Sequence, residues 1–174
     1  MQIKYGWGRL TEQCPWPVEL ESERLLLRAW TLDDAEAMFK YAQDERVGPP
    51  AGWLPHKSVE DSELRLRNIW MRKDSFALVL KETGEVIGSI EAHVKNYRGV
   101  WIDEYWEIMS VGYWLGVPFW GQGLMTEALE TMARYLFESR DCWAVECSFA
   151  VGNDRSRRVM EKCGLVYLET VEQS

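Results

Sequence analysis

Residues 111–129, VGYWLGVPFWGQGLMTEAL, constrain this chain more than any other stretch. A strand-like apolar run ends near Leu115. Gly116 and Pro118 break it, and Gly121 and Gly123 lead into a helical pattern. Over residues 124–138 that pattern puts Leu129, Met132, Ala133, Leu136 and Phe137 on one side of a helix. A glycine turn at a helix start leaves backbone N–H groups bare. The helix adds about half a positive charge there. The arrangement suits a phosphate or pyrophosphate, with the Thr126 hydroxyl beside it. The dinucleotide fingerprint would need a third glycine, and a Walker loop would need Gly-Lys-Ser/Thr. Glycine pairs in such turns also occur without any ligand, so the turn alone leaves both readings open.

The rest of the chain supplies the frame. RLLLRAW (24–30) reads as a strand, and Thr31 caps a helix whose first turn holds Asp33 and Asp34. GPPAGWLPHK (48–57) reads as a loop, and Ser58 opens a second helix with Leu64, Ile69 and Trp70 on its apolar face. SFALVLK (75–81) and VIGSIEAHV (86–94) are strands joined by the turn ETGE, where Gly84 takes positive φ. EYWEIMSVGYWL (104–115) is the next strand. CWAVECSFA (142–150) is a buried strand, residues 153–163 a short helix stopped by Gly164, and LVYLET (165–170) a last strand. The predicted class is α+β: a single domain over 1–174, with residues 1–22 as an N-terminal arm. Its central mixed, mostly antiparallel sheet carries helices on both faces.

Composition narrows the function. The 174 residues are 47% hydrophobic, and the net charge of −8 argues against a nucleic-acid partner while suiting a cationic substrate. No apolar run is long enough for a membrane span, the first residues lack a signal-peptide pattern, and the cytoplasm is the expected compartment. Cys14, Cys142, Cys147 and Cys163 match no zinc spacing, so no metal is expected. Ten tryptophans are unusual; Trp30, Trp101, Trp106 and Trp114 fall in predicted strands, where core packing accounts for them.

With these residues in place, the sequence resembles the GNAT superfamily of N-acetyltransferases, and looks closest to the branch of ribosomal-protein N-terminal acetyltransferases. The resemblance runs over about residues 22–170 and rests on GYWLGVPFWGQGLMTEAL and NDRSRRVMEKCGL. It implies acetyl-CoA as cosubstrate, bound in the motif Q/R-x-x-G-x-G/A. Trp120 takes the Q/R place, Gly123 the glycine place and Met125 the G/A place, so two positions depart from the general motif. The pantetheine arm is then expected along Tyr113, Trp114 and Leu115, and the pyrophosphate on the amides of Gln122, Gly123, Leu124, Met125 and Thr126, with Trp120 and Gly121 also in the cofactor site. Asn153 and Ser156 are expected near the pantetheine, although Asn153 is equally a helix N-cap and Ser156 a solvated first-turn residue.

Acyl transfer to an amine needs the amine neutral and a proton for the departing thiolate. A lysine-type amine is neutral roughly one time in 2500 at pH 7, an α-amine roughly one time in six, so an N-terminal amine depends less on a base. Where many members of this family carry a tyrosine acid, this chain has Met160; where many members of this branch carry a glutamate before the loop, it has Ser110. The expected catalytic residues are therefore Ser110, as a polar anchor for water or the thiolate, and Glu107 as base, with Glu91 and His93 of the adjacent strand as other candidates. The acceptor is a primary amine, on a small molecule or a protein N-terminus, with loop 48–57 shaping its pocket. An alternative is an acyl-CoA-binding sensor of the same fold without turnover. The family usually closes with two strands after the last helix, and here there is room for one. Residues 3–7 or a homodimer partner would fill the gap.

Overall fold

The computed structural model describes residues 17–95 and 107–171. Six strands form one sheet in chain order: β1 (Leu20–Glu21), β2 (Leu25–Ala29), β3 (Ser75–Leu80), β4 (Glu85–Val94), β5 (Ile108–Leu115) and β6 (Ala144–Glu146). Neighbours are antiparallel up to β5, and β5–β6 is parallel. That parallel step is made through α3 (Leu124–Glu138), as a crossover connection requires.

Alternation along the strands splits the apolar residues between two cores. One core gathers Leu25, Leu27, Phe76, Leu78, Ile90, Met109 and Val111 with Leu129, Met132 and Leu136 of α3. The other gathers Ala77, Val79 and Trp114 with Met38 and Ala42 of α1 (Ala35–Ala42), and with Leu66 and Trp70 behind α2 (Val59–Arg65). Helices thus cover both faces, and the expected α+β architecture holds. Trp30 and Trp114 are core residues, 3% and 6% exposed. Trp101, Trp106, Cys14 and the 3–7 strand lie outside the described residues.

Caps fall where the sequence places them. Asp34 accepts from both the N–H and the hydroxyl of Thr31 at the entry to α1. Ser58 accepts from Asp61 N–H at the start of α2, and Gly84 closes the β3–β4 turn at φ +72°.

Four expectations are corrected. After α2 the chain winds through a wider π-type turn, Leu66–Trp70, which shifts the helical phase. Trp70 is buried as expected, together with Leu66, whereas Leu64 and Ile69 are exposed. The strand expected over 104–115 begins at Ile108, with Glu107 in coil just before it and 104–106 outside the described residues. The strand expected over 142–150 is only Ala144–Glu146, because the chain beyond Glu146 leaves β5. The segment 165–170 is not a strand. β6 offers an edge of three residues that ends at Glu146, too short to pair a six-residue strand, and Val166, Tyr167 and Leu168 stay exposed.

Candidate active site

β5 is the strand on which the site is built. It pairs β4 from Met109 to Leu115 but pairs β6 only from Ile108 to Ser110, opposite Ala144 to Glu146. From Val111 onward the edge that faced β6 has no partner among the described residues, and the two strands splay apart. The open edge runs directly into the glycine turn and α3.

The turn has the geometry an anion needs. Gly121 and Gly123 sit at φ +76° and +77°, a left-handed region that side chains adopt at a cost. Nothing lies within 4 Å of where a Cβ would stand on Gly121. The first closed helical bond of α3 runs from Glu127 N–H to Gly123 O, so the N–H groups of Leu124, Met125 and Thr126 are unpaired helix-start donors. Leu124 and Met125 bury their side chains in the core, so only their backbones face the turn. The Gln122 side chain donates to Pro118 O at 2.9 Å and braces the loop.

Trp120 does not point free. Its indole N–H donates to Leu115 O at 2.7 Å, tying the loop back to the end of β5, and the Arg155 guanidinium lies 4.4 Å from its ring centroid. A second brace was not foreseen. Glu127 accepts from Ser22 Oγ at 2.6 Å and from Arg24 N and Nε at 2.7 Å, while Arg24 Nη1 reaches Gln122 O at 3.0 Å. Burial pushes the Glu127 carboxyl up, and these donors outweigh it, holding it below the usual range. An acidic residue in the first turn of α3 was the one available signal. Its partners, 103 and 105 residues earlier, carried none.

Across the splay, Tyr113 Oη sits 2.9 Å from Ser156 Oγ, and so joins β5 to α4 (Asp154–Lys162). Burial pushes the Tyr113 phenol up, so it is neutral. Asn153 is the N-cap of α4: its Oδ1 accepts from Ser156 N–H at 3.3 Å, and its Nδ2 donates to Pro50 O at 3.3 Å, linking α4 to the 48–57 loop. Met160 is buried in α4. Cys147 and Cys163 are half-buried here, and burial pushes their thiols up to about 12 and about 11.

The structure does not bring Ser110 and Glu107 together. Ser110 lies at the apex of the splay, opposite His93 of β4 and Glu146 of β6. Glu107 is exposed ahead of β5, with its backbone carbonyl taken by Trp143 N–H. At about 3.3 Å per residue it stands about 10 Å from Ser110, at the end of the strand remote from the turn. Glu91, by contrast, pairs with Gly112, one step further along the face that carries Ser110 and Trp114. Its Oε2 accepts from Arg72 at 2.6 Å, and its Oε1 lies 3.7 Å from where a Gly112 Cβ would be. His93 is exposed.

On that face a cleft of about 160 Å³ opens beside Gly112, between Trp53, Trp70, Trp114, Arg65 and Glu91. His56 packs against two of the wall residues, with its ring centroid 5.1 Å from Trp53 and 5.8 Å from Trp70. Burial chiefly, with the nearby Arg65 charge, lowers the His56 pKa to about 4.

β5 thus runs with an open edge into a glycine turn at the start of α3. Residues 24–166 match the family model of the acetyltransferase (GNAT) domain. The chain belongs to that family and is an acetyltransferase. It is 27% identical over 146 residues to the uncharacterized N-acetyltransferase p20 of Bacillus licheniformis, covering 81% of this chain and 78% of that one. Its fold is that of a GNAT-family acetyltransferase from Bacillus anthracis (TM-score 0.71, 24% identity, 84% and 82% of the two chains). The same fold is found in the ribosomal-protein-S5-alanine acetyltransferase of Vibrio fischeri (0.62, 21%, 86% and 83%). It recurs in the aminoglycoside acetyltransferase AAC(6')-Ib in complex with coenzyme A (0.66, 19%, 84% and 87%). Among the described residues, no helix is long and apolar enough to cross a membrane, and no group of His, Cys, Asp and Glu is arranged to hold a metal.

Proposed function

We propose that the chain moves an acetyl group from acetyl-CoA directly to a primary amine. The observation that carries this reading is the unpaired edge of β5 from Val111 to Leu115, leading into the two left-handed glycines at the start of α3. Acetyl-CoA supplies the acetyl thioester; this chain supplies the surfaces that hold and orient it. The open edge of Tyr113, Trp114 and Leu115 suits an amide-bearing arm that adds as a strand. The N–H groups of Gln122 to Thr126 suit a pyrophosphate, and the Tyr113–Ser156 bond sets the width of the splay beneath Asn153.

Transfer is taken as direct in this reading, and burial of the thiols beside the splay disfavours a cysteine nucleophile there. With pKa values near 12 and 11, Cys147 and Cys163 hold almost no thiolate at neutral pH. Ser110 keeps its role as a polar anchor at the apex. Glu107 is not carried forward as the base, because it stands at the far end of β5.

A thiol-release assay over a panel of amines, paired with thermal shift in acetyl-CoA, tests the proposal. Turnover with a stabilising shift of roughly 2.7 kcal/mol at 100 times the dissociation constant supports it. Absence of any shift refutes it. Met160 and Ser110, where acid and carboxylate would be looked for, favour a second reading: an acyl-CoA-binding sensor. That reading predicts the shift with no thiol released on any amine.

A further inference from the structure

The acceptor side of β5 has features that the cofactor side does not use. Three indole rings meet at one place. Trp53 packs edge-on to Trp70 at 6.2 Å and to Trp114 at 6.0 Å, and Trp114 stacks on Trp30 at 6.5 Å. Trp70 and Trp114 are core residues, yet both also line the cleft beside Gly112, and Trp53 is only half-buried. The space of about 160 Å³ is close to that of a cavity of about 150 Å³ that accepts one benzene ring. It falls well short of the roughly 300 Å³ at which drug-sized pockets begin.

The polar groups of the cleft are arranged in pairs. Arg65 Nε bonds Asp61 at 3.0 Å, and Arg72 bonds Glu91 Oε2 at 2.6 Å, so the pairs add no net charge. Two polar atoms are left over: the Trp114 indole N–H is buried with no partner among the described residues, and the other is a carboxylate oxygen. Glu91 Oε1 has no hydrogen-bond partner among the described residues and points over Gly112, where any side chain would stand about 3.7 Å away. The bare Gly112 thus joins the cleft to the strand edge that begins to open one residue earlier, at Val111.

We infer that this cleft takes an amine carrying one aromatic or compact branched aliphatic group, with the ring or branch among Trp53, Trp70 and Trp114 and the ammonium on Glu91 Oε1. The inference rests on the reading of the chain as an amine acetyltransferase. The volume excludes multi-ring aminosugars from full burial. The apolar walls offer a polyamine nothing for its inner charges. The shared chemistry is met by a free arylalkylamine or by a peptide whose first residue is aromatic.

The experiment is calorimetric titration of the full chain, with and without saturating CoA. The probes are 2-phenylethylamine, its neutral analogue 2-phenylethanol, a tripeptide amide beginning with phenylalanine, spermidine and kanamycin. The expected order has 2-phenylethylamine, the peptide or both ahead of spermidine and kanamycin; whichever of the two binds identifies the source. Glu91→Gln should weaken 2-phenylethylamine roughly ten- to a hundredfold and leave 2-phenylethanol unchanged, a split that a merely structural role would not produce. Ala51→Trp, on an exposed turn at the cleft wall, should weaken both and leave CoA affinity intact. Preference for spermidine or kanamycin overturns the inference, as does equal loss of amine and alcohol in Glu91→Gln. Arylamine binding in a chain that fails to bind CoA would sustain the cleft and sink the proposed function instead.

Discussion

Acidification should loosen the wall of the tryptophan cleft through one residue. His56 is 3% exposed, its Nδ1 lies 2.8 Å from Ser62 Oγ, and its Nε2 is buried without a partner. Burial, helped by repulsion from Arg65, lowers its pKa from 6.5 to about 4. Between those two values the unfolded chain binds a proton that the folded chain refuses. Stability from this site is therefore complete above about pH 6.5 and falls as the pH drops toward 4. Linkage gives a loss of about 0.8 kcal/mol at pH 6 and about 2 kcal/mol at pH 5, with a ceiling near 3.4 kcal/mol. Other groups titrate in the same window, so the measurement is a difference. Urea unfolding of the wild-type chain and of His56→Gln, followed by tryptophan fluorescence, should be compared at pH 7.5, 6 and 5. The variant is less stable at pH 7.5 because it loses packing between Trp53 and Trp70. That gap should narrow by about 2 kcal/mol at pH 5, equivalent to roughly 4–8 °C in Tm for a chain of this size. A gap that stays constant within about 0.5 kcal/mol across the range would refute the argument, since it would mean that His56 accepts its proton in place.

Other perturbations separate the braces from the ligand surfaces. Glu127→Ala removes the acceptor shared by Ser22 and Arg24, and should cost about 2–3 kcal/mol in urea unfolding while reducing the acetyl-CoA thermal shift, because Arg24 also holds Gln122 O. Gly123→Ala forces a side chain onto φ +77° and should cost about 1–2 kcal/mol, with loss of acetyl-CoA binding out of proportion to the stability change. Asn153→Ala removes the cap of α4 and should cost about 1 kcal/mol; Asn153→Ser should restore most of it. In thiol release, Ser110→Ala should lower kcat on the order of tenfold, whereas Glu107→Gln, about 10 Å further along the strand, should leave it unchanged; the reverse result would return the chemistry to the start of β5.

Much of the fold was legible because its signals are local. The β3–β4 hairpin announces itself through ETGE between two apolar runs, and α3 through a fifteen-residue helical stripe behind two glycines. The cap residues Thr31, Ser58 and Asn153 are each a short polar side chain followed by an acidic residue in the first turn. The errors fall where a tertiary fact decides a local one. Residues 142–150 and 165–170 have strand composition, but a strand also needs an edge, and β6 provides only three residues of it. The buried stripe here is Ser62, Leu66 and Trp70, four apart and carried through the wider turn at 66–70, which includes the expected Trp70 but leaves Leu64 and Ile69 outside.

The two halves of the site differ in legibility for a related reason. The cofactor half is contiguous: strand edge, turn and helix start follow one another from Val111 to Glu127, so residue order alone carries the geometry. The acceptor half depends on register. Glu91 was visible only as a residue of a neighbouring strand. That it faces Gly112, with Ser110 paired to His93 one step away on the same face, is set by how β4 and β5 pair across a connection of thirteen residues. A slip of one residue would turn Glu91 to the opposite face and leave its carboxylate in the α3 core. The aromatic wall is more remote still: Trp53 comes from a loop, Trp70 from a π-type turn and Trp114 from β5, and none follows a shared period. Gly112 is where the halves meet. It lies inside the stretch that announced the cofactor, yet its missing side chain matters only to the cleft on the other face. On the proposed reading one strand serves both partners of the transfer, its edge turned to the cofactor side and its face to the amine.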